Sequence, residues 1–227
     1  MKALIYKELK LAMHPICYVF ICLFPLMVLI PSYPLGIGFI YILSCYPVLF
    51  LGANKGQQSN DLLYSTLLPV RKKDIVLARI FTVIFMQVAF ILIQCALFPL
   101  ALLINNSIQS AAENPTDYVI PGLGLNSFVL LLGIAIVGYA IADLIFFPIY
   151  YKHGKSIVMS TLFTILGFVV YIGLFTVGLP YIPGLGFLNN LHIGIQFAIL
   201  GLALLISFGL HVVVYHVSSK RLEKVDF

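Results

Sequence analysis

One carboxylate in this sequence sits where a carboxylate is costly. Asp143 lies about eight residues inside one end of a long apolar run, and an ionised acid at that depth is expensive unless something pairs with it. Arg79, one turn into another apolar run, enters from the same side and has the reach to meet it. Three roles fit such an acid: an Arg79–Asp143 pair that fixes two helices together, a proton-coupling carboxylate, or a contact in a cytoplasmic gate. A lone acid makes a poor relay, so the structural pair is the preferred expectation. Gln87 and Gln94 share a helix face, as do Ser160, Thr164, Gly167 and Tyr171. Small residues at that spacing signal close helix packing ahead of substrate contact. His192, His211 and His216 lack metal-ligand spacing with Cys or acid partners and are expected at interfaces or in packing. Cys17, Cys22, Cys45 and Cys95 all fall in apolar runs and read as small apolar side chains, neither a disulfide nor a metal set. No catalytic residue and no metal site is expected, and the clustered acids and histidines of an intramembrane hydrolase are missing.

The setting of these residues is an unusually apolar chain. Of 227 residues, 62% are hydrophobic and only 9% charged, against ~45–50% and ~25% in soluble domains. Disorder requires the opposite balance. An outer-membrane barrel would show alternating strands of about ten residues, whereas the apolar stretches here run long and unbroken. The net charge of +5 has no soluble basic face to carry it, so nucleic acid is not an expected partner. The basic residues read instead as topology signals.

A spanning helix needs about 20 apolar residues, and six stretches qualify: Ile16 to Pro31, Leu35 to Ala53, Ile75 to Ile104, Leu125 to Tyr150, Ile157 to Leu179, and Leu191 to Val217. The expected fold is therefore all-α, a polytopic membrane protein with six transmembrane helices in a single domain over residues 1–227. The first span is short and contains Pro25, so a kink or an incomplete crossing is expected there. All thirteen Lys and Arg fall before span one, between spans two and three or just inside span three, between spans four and five, or after span six. The alternate loops, 105–124 and 180–190, hold only Glu113 and Asp117. The positive-inside rule then puts both termini in the cytoplasm. The basic start followed by an apolar run looks like a signal peptide, but no small-residue cleavage site follows and Glu8 interrupts it, so cleavage is not expected.

Two segments are not simple spans. Within residues 1–14, Ile5, Leu9, Ala12 and Met13 recur at helical spacing while Lys7 and Lys10 point elsewhere, which predicts an N-terminal interfacial amphipathic helix ended by His14-Pro15. In the cytoplasmic loop 54–74, Ser59 or Asn60 can cap a short helix, with Asp61 in its first turn. Leu62, Leu63, Tyr64, Leu67 and Leu68 make that helix apolar, Pro69 stops it, and Arg71-Lys72-Lys73 follow. A short apolar helix beside positive charge in the cytosol calls for a protein partner.

The stretch Leu68-Pro69-Val70-Arg71-Lys72-Lys73-Asp74-Ile75-Val76-Leu77-Ala78-Arg79 resembles the "LPvsRkdIVlgK" segment of ABC-2-type transporter permeases. Asp61 to Leu67 resembles the acidic-then-apolar helix before that segment. Lys2 to Lys10, including Lys7 and Glu8, is similar to the family's interfacial connecting helix. Arg71 and Arg79 fill its basic positions, and Lys72-Lys73 makes this example more basic than usual. A closer likeness is to the small-permease branch that includes phenol-soluble modulin exporters of Gram-positive bacteria. The resemblance implies a multi-pass subunit in the cytoplasmic membrane of a bacterium, docking through Asp61 to Leu68 onto a separate ABC ATPase that holds ATP and Mg. The chain lacks GxxxxGK[ST] and would bind no cofactor of its own. Six spans are half the usual complement, which implies a second permease copy or a sister permease within the lipid bilayer.

Two further expectations come from the residues. Tyr118 to Asn126 and Tyr181 to Asn189 echo each other, with Pro121-Gly122 and Pro183-Gly184 forming tight turns on the outer side. They are either independent turns or a paired outer lid over an exit path. Spans one, two, five and six carry no deep charge, which suits an amphipathic peptide, a lipid or an apolar drug as substrate. The competing class is a proton- or sodium-coupled secondary transporter using Asp143.

Overall fold

The computed structural model describes residues 2–12, 16–29, 70–111, 128–153, 157–178 and 191–224, and every element among them is helical. The chain opens with α1 (Lys2–Lys7), which widens into a π-helical turn over Glu8–Ala12. Helix α2 (Ile16–Leu23) tightens into 3-10 turns at Phe24–Leu29. Pro25 lies at that change, where its missing N–H ends the α-type ladder. Together α2 and its 3-10 extension reach only about 24 Å, short of a hydrocarbon core of about 30 Å.

Four longer helices follow: α3 (Lys72–Ala111), α4 (Phe128–His153), α5 (Ile157–Ile172) with a π-helical turn at Gly173–Gly178, and α6 (Ile193–Glu223). Among the described residues these are the four helices long and apolar enough to cross a membrane. The expected second span, Leu35 to Ala53, lies outside the described residues. Two expected boundaries need correction. Helix α3 runs past Ile104 to Ala111, so the first residues assigned to the outer loop are helical, and α6 continues past Val217 to Glu223. Hydropathy marks where lipid ends, whereas a helix stops only where its backbone bonding is interrupted.

The termini are set by local chemistry. The Arg71 carbonyl accepts the Asp74 N–H at 2.9 Å to begin α3, and Asp74 in the first turn suits the positive end of the helix dipole. His192 caps α6, its Nδ1 accepting the Gly194 N–H at 3.2 Å. Lys220 and Arg221 occupy the last turn of α6, where cations are favoured.

Helix α4 packs closely on α5 and α6 and meets α3 through side-chain contacts, while α3 packs on the Phe24–Leu29 turns and on α6. Both faces of α4 are apolar, as a helix enclosed by other helices requires. It runs antiparallel to α3: Phe98 stacks on Phe128 at one end (4.0 Å between ring centroids), and Arg79 meets Tyr150 at the other. It is also antiparallel to α5, where a side chain on Gly138 would lie 3.0 Å from the Phe168 and Tyr171 rings. It is parallel to α6, where Gly133 faces Ala203 and Asp143 faces His211. The basic residues gather at one end of this bundle. There Lys73 pairs with Glu223 at 3.3 Å, and an Arg221 guanidinium N–H donates to the Pro148 carbonyl. The α5 and α6 spans are only 24% and 17% buried, against 56% and 67% for α3 and α4. Their outer faces, with Leu205 and Phe208 foremost, are left for lipid or another subunit.

Candidate functional site

The buried polar groups form two tiers between the helices. The tier at the basic end is centred on Arg79, which the first turns of α3 carry inward and leave only 4% exposed. Its Nε lies 3.2 Å from Glu8 Oε2, and a terminal N–H donates to the Tyr150 hydroxyl at 2.9 Å. The guanidinium also lies 5.8 Å from the centroid of the Tyr150 ring. Glu8 is 6% exposed, and its other oxygen is 3.7 Å from Lys7 Nζ. Opposite charges removed from water together stay there only when paired and hydrogen-bonded, and this tier supplies both. It joins α1, α3 and α4 at one point.

The second tier lies deeper. Asp143 on α4 is completely buried. Its Oδ2 accepts the Gln87 amide N–H from α3 at 3.0 Å and lies 3.0 Å from His211 Nε2 on α6. His211 Nδ1 in turn lies 2.7 Å from the Ser207 carbonyl. Two turns further along α3, Gln94 is buried as well, and its Oε1 has no hydrogen-bond partner among the described residues.

The expected Arg79–Asp143 pair is thus replaced by two separate partnerships. The antiparallel register sets position 79 beside position 150 and position 87 beside position 143. That puts Arg79 about 12 Å along the helix axis from the level of Asp143. Residue spacing gave each helix its polar face, but not the level at which neighbouring faces meet. His211, expected at interfaces or in packing, instead meets the buried carboxylate. A signal for it existed: the one acid at depth needs donors, and His211 is an imidazole well inside an apolar run.

The N-terminal helix also departs from expectation. Leu4 and Glu8 are buried and Leu9 is half-buried against the bundle, while Lys10 is exposed and bonds the Tyr6 hydroxyl at 2.7 Å. Its inner face therefore includes an acid, held there by Arg79. Ser160 and Thr164 are buried in helix packing, Gly167 meets the Ile145 side chain, and the Tyr171 hydroxyl donates to the Ile134 carbonyl at 3.1 Å. That face serves α4–α5 packing.

Arg71 is exposed at the start of α3. Asp61, Leu62, Leu63, Tyr64, Leu67, Leu68 and Pro69 lie outside the described residues, as do Pro121, Gly122, Pro183 and Gly184. Among the described residues no three His, Cys, Asp or Glu come together as a metal site. What the two tiers can do is mechanical: each holds three helices by bonds that have no water to replace them.

A family model described as ABC-2 family transporter protein matches residues 3–221. No curated protein and no solved structure matches the chain.

Proposed function

Because this chain belongs to the ABC-2 transporter family, a family of membrane permeases, we propose that it is the six-span permease half of an ATP-driven exporter. In this reading both termini are cytoplasmic and the chain works as a dimer, with itself or a sister permease, in a bacterial cytoplasmic membrane. A separate ABC ATPase carries ATP and Mg. The substrate is an amphipathic or hydrophobic molecule, such as a peptide, a lipid or a drug.

The observation that carries the mechanism is the Glu8–Arg79–Tyr150 junction. The residues proposed to meet the ATPase, Asp61 to Leu68, directly precede α3 in the chain. A push on them reaches α3 first, and Arg79 ties the base of α3 to the N-terminal helix and to α4. Closure of the motors would then move α1, α3 and α4 as one body and open the dimer seam outward. The rival reading, ion-coupled transport by Asp143, requires a carboxylate that meets water on each side in turn. Full burial between Gln87 and His211 argues against that.

The test is co-purification of the tagged chain with an ABC ATPase from its native membrane, comparing wild type with Leu63→Asp/Leu67→Asp. Retention by wild type and loss from the variant support the docking site and the exporter reading. Failure of the ATPase to associate with either removes that reading in favour of ion-coupled transport.

A further inference from the structure

The deeper tier carries a proton count that packing alone does not explain. His211 Nδ1 is 2.7 Å from the Ser207 carbonyl, an atom that can only accept, so Nδ1 must bear a hydrogen. The Ser207 hydroxyl is also near Nδ1, but at 3.4 Å it is the weaker partner by distance. On the other side of the ring, Nε2 faces the Asp143 carboxyl oxygen at 3.0 Å. A neutral imidazole has one N–H, and the carbonyl has claimed it. The Nε2–Oδ2 contact therefore needs a second proton, carried either by the imidazole as imidazolium beside carboxylate or by the carboxyl as an O–H donor. Both arrangements leave the pair with zero net charge, which is the state a dry, fully buried site favours. Losing that proton would set a lone pair against an oxygen anion and leave one uncompensated charge among apolar helices.

We propose that Asp143 and His211 form a proton-binding site within the membrane domain, and that the bound proton holds α6 against α4. The ligand is a single proton, and Gln87 steadies the acceptor oxygen from α3. The nearest charges on α1 and α3 are Glu8 and Arg79, which are paired with each other about 12 Å toward the basic end. Other titratable side chains on these elements are Cys17, Tyr18 and Cys22 on α2, Cys95 on α3, Tyr139, Tyr150 and Tyr151 on α4, Tyr171 on α5, and Tyr215 and His216 on α6. The charges of Lys72, Lys73, Asp74, Lys152, Lys220, Arg221 and Glu223, with His153, belong to the basic end. A rise in pH removes the proton and loosens α6, while a fall in pH keeps the contact. The site does not depend on the presence of an ATPase partner.

The test uses the full chain alone, labelled with 15N-histidine in lipid nanodiscs. Nitrogen NMR reads the state of each ring position across a pH series, and thermal unfolding is followed over the same series. Asp143→Asn is the diagnostic variant: its side-chain amide can donate to Nε2 of a neutral ring, so the contact no longer needs a second proton. The expected wild-type result is an Nδ1-protonated His211 whose Nε2 resonance shifts in a single step as the pair loses one proton, with Tm falling by several degrees through that step. In Asp143→Asn the ring should keep its Nδ1–H, and both steps should vanish. A neutral ring in the Nε2–H tautomer in the wild type would overturn the proposal, as would a Tm that stays flat while the pair loses its proton. An ATPase that never co-purifies would sink the exporter reading and leave this site untouched.

Discussion

Glu8 and Arg79 are the residues at which two chemically opposite needs meet, since each alone would be intolerable where it lies and together they are satisfied. Replacing one partner leaves the other buried and unpaired, a loss of roughly 3–5 kcal/mol for a buried pair. Arg79→Met is therefore expected to lower the unfolding temperature of the purified chain sharply, with Lys7 at 3.7 Å giving Glu8 only partial compensation. The double variant Glu8→Leu/Arg79→Met, which removes both charges, should recover most of that loss. If the double variant is as unstable as the single, the pair is not what holds α1 to α3. The sequence made Arg79 and Asp143 conspicuous as charges at depth, because lipid penalises them wherever they lie. It did not say who would meet whom. That depends on the relative height of helices joined by long loops, which no local spacing encodes.

At the scale of helices, the separation of α4 from α5 is set by two glycines with different surroundings. A Cβ on Gly138 would fall 3.0 Å from the rings of Phe168 and Tyr171, one fully buried and the other anchored to the Ile134 carbonyl. Neither ring has room to retreat, so Gly138→Val should cost about 1–3 kcal/mol through overpacking and lower Tm accordingly. A Cβ on Gly167 meets only the terminal Cδ1 of Ile145, at 2.6 Å, and that flexible tip can turn away. Gly167→Ala should therefore unfold at close to the wild-type temperature. Equal losses from the two substitutions would mean that the helix spacing is not set as described. The four long helices were legible from hydropathy to within a few residues at most ends. Ser160, Thr164 and Gly167 were legible as a packing face because small residues at that spacing let helices approach. The overrun of α3 to Ala111 was not, since residues 105–111 are polar or small except for Ile108, and no Pro or Gly among them breaks the helix.

For the molecule as a whole, the dimensions and the charge distribution make one prediction together. Helix α3 has 40 residues, about 60 Å at helical rise, twice a hydrocarbon core of about 30 Å. Its two ends must emerge on opposite sides of the bilayer. The first end carries Lys72 and Lys73 and joins Glu223 and the N-terminal helix, while the last carries exposed Asn106 and Ser107 and no charge. Positive charge is retained on the cytoplasmic side, so Asn106 should face outward. The measurement is labelling of single cysteines in a background lacking the four native ones. Asn106→Cys should react with a membrane-impermeant maleimide on intact cells. Lys73→Cys and Lys220→Cys should react only after permeabilisation. Labelling of Lys73→Cys on intact cells would invert the whole chain, put the segment before α3 out of reach of any cytoplasmic ATPase, and end the exporter reading at its first step. Labelling of both ends of α3 on intact cells would mean that this helix does not span, and that its length serves a projection along the membrane surface instead.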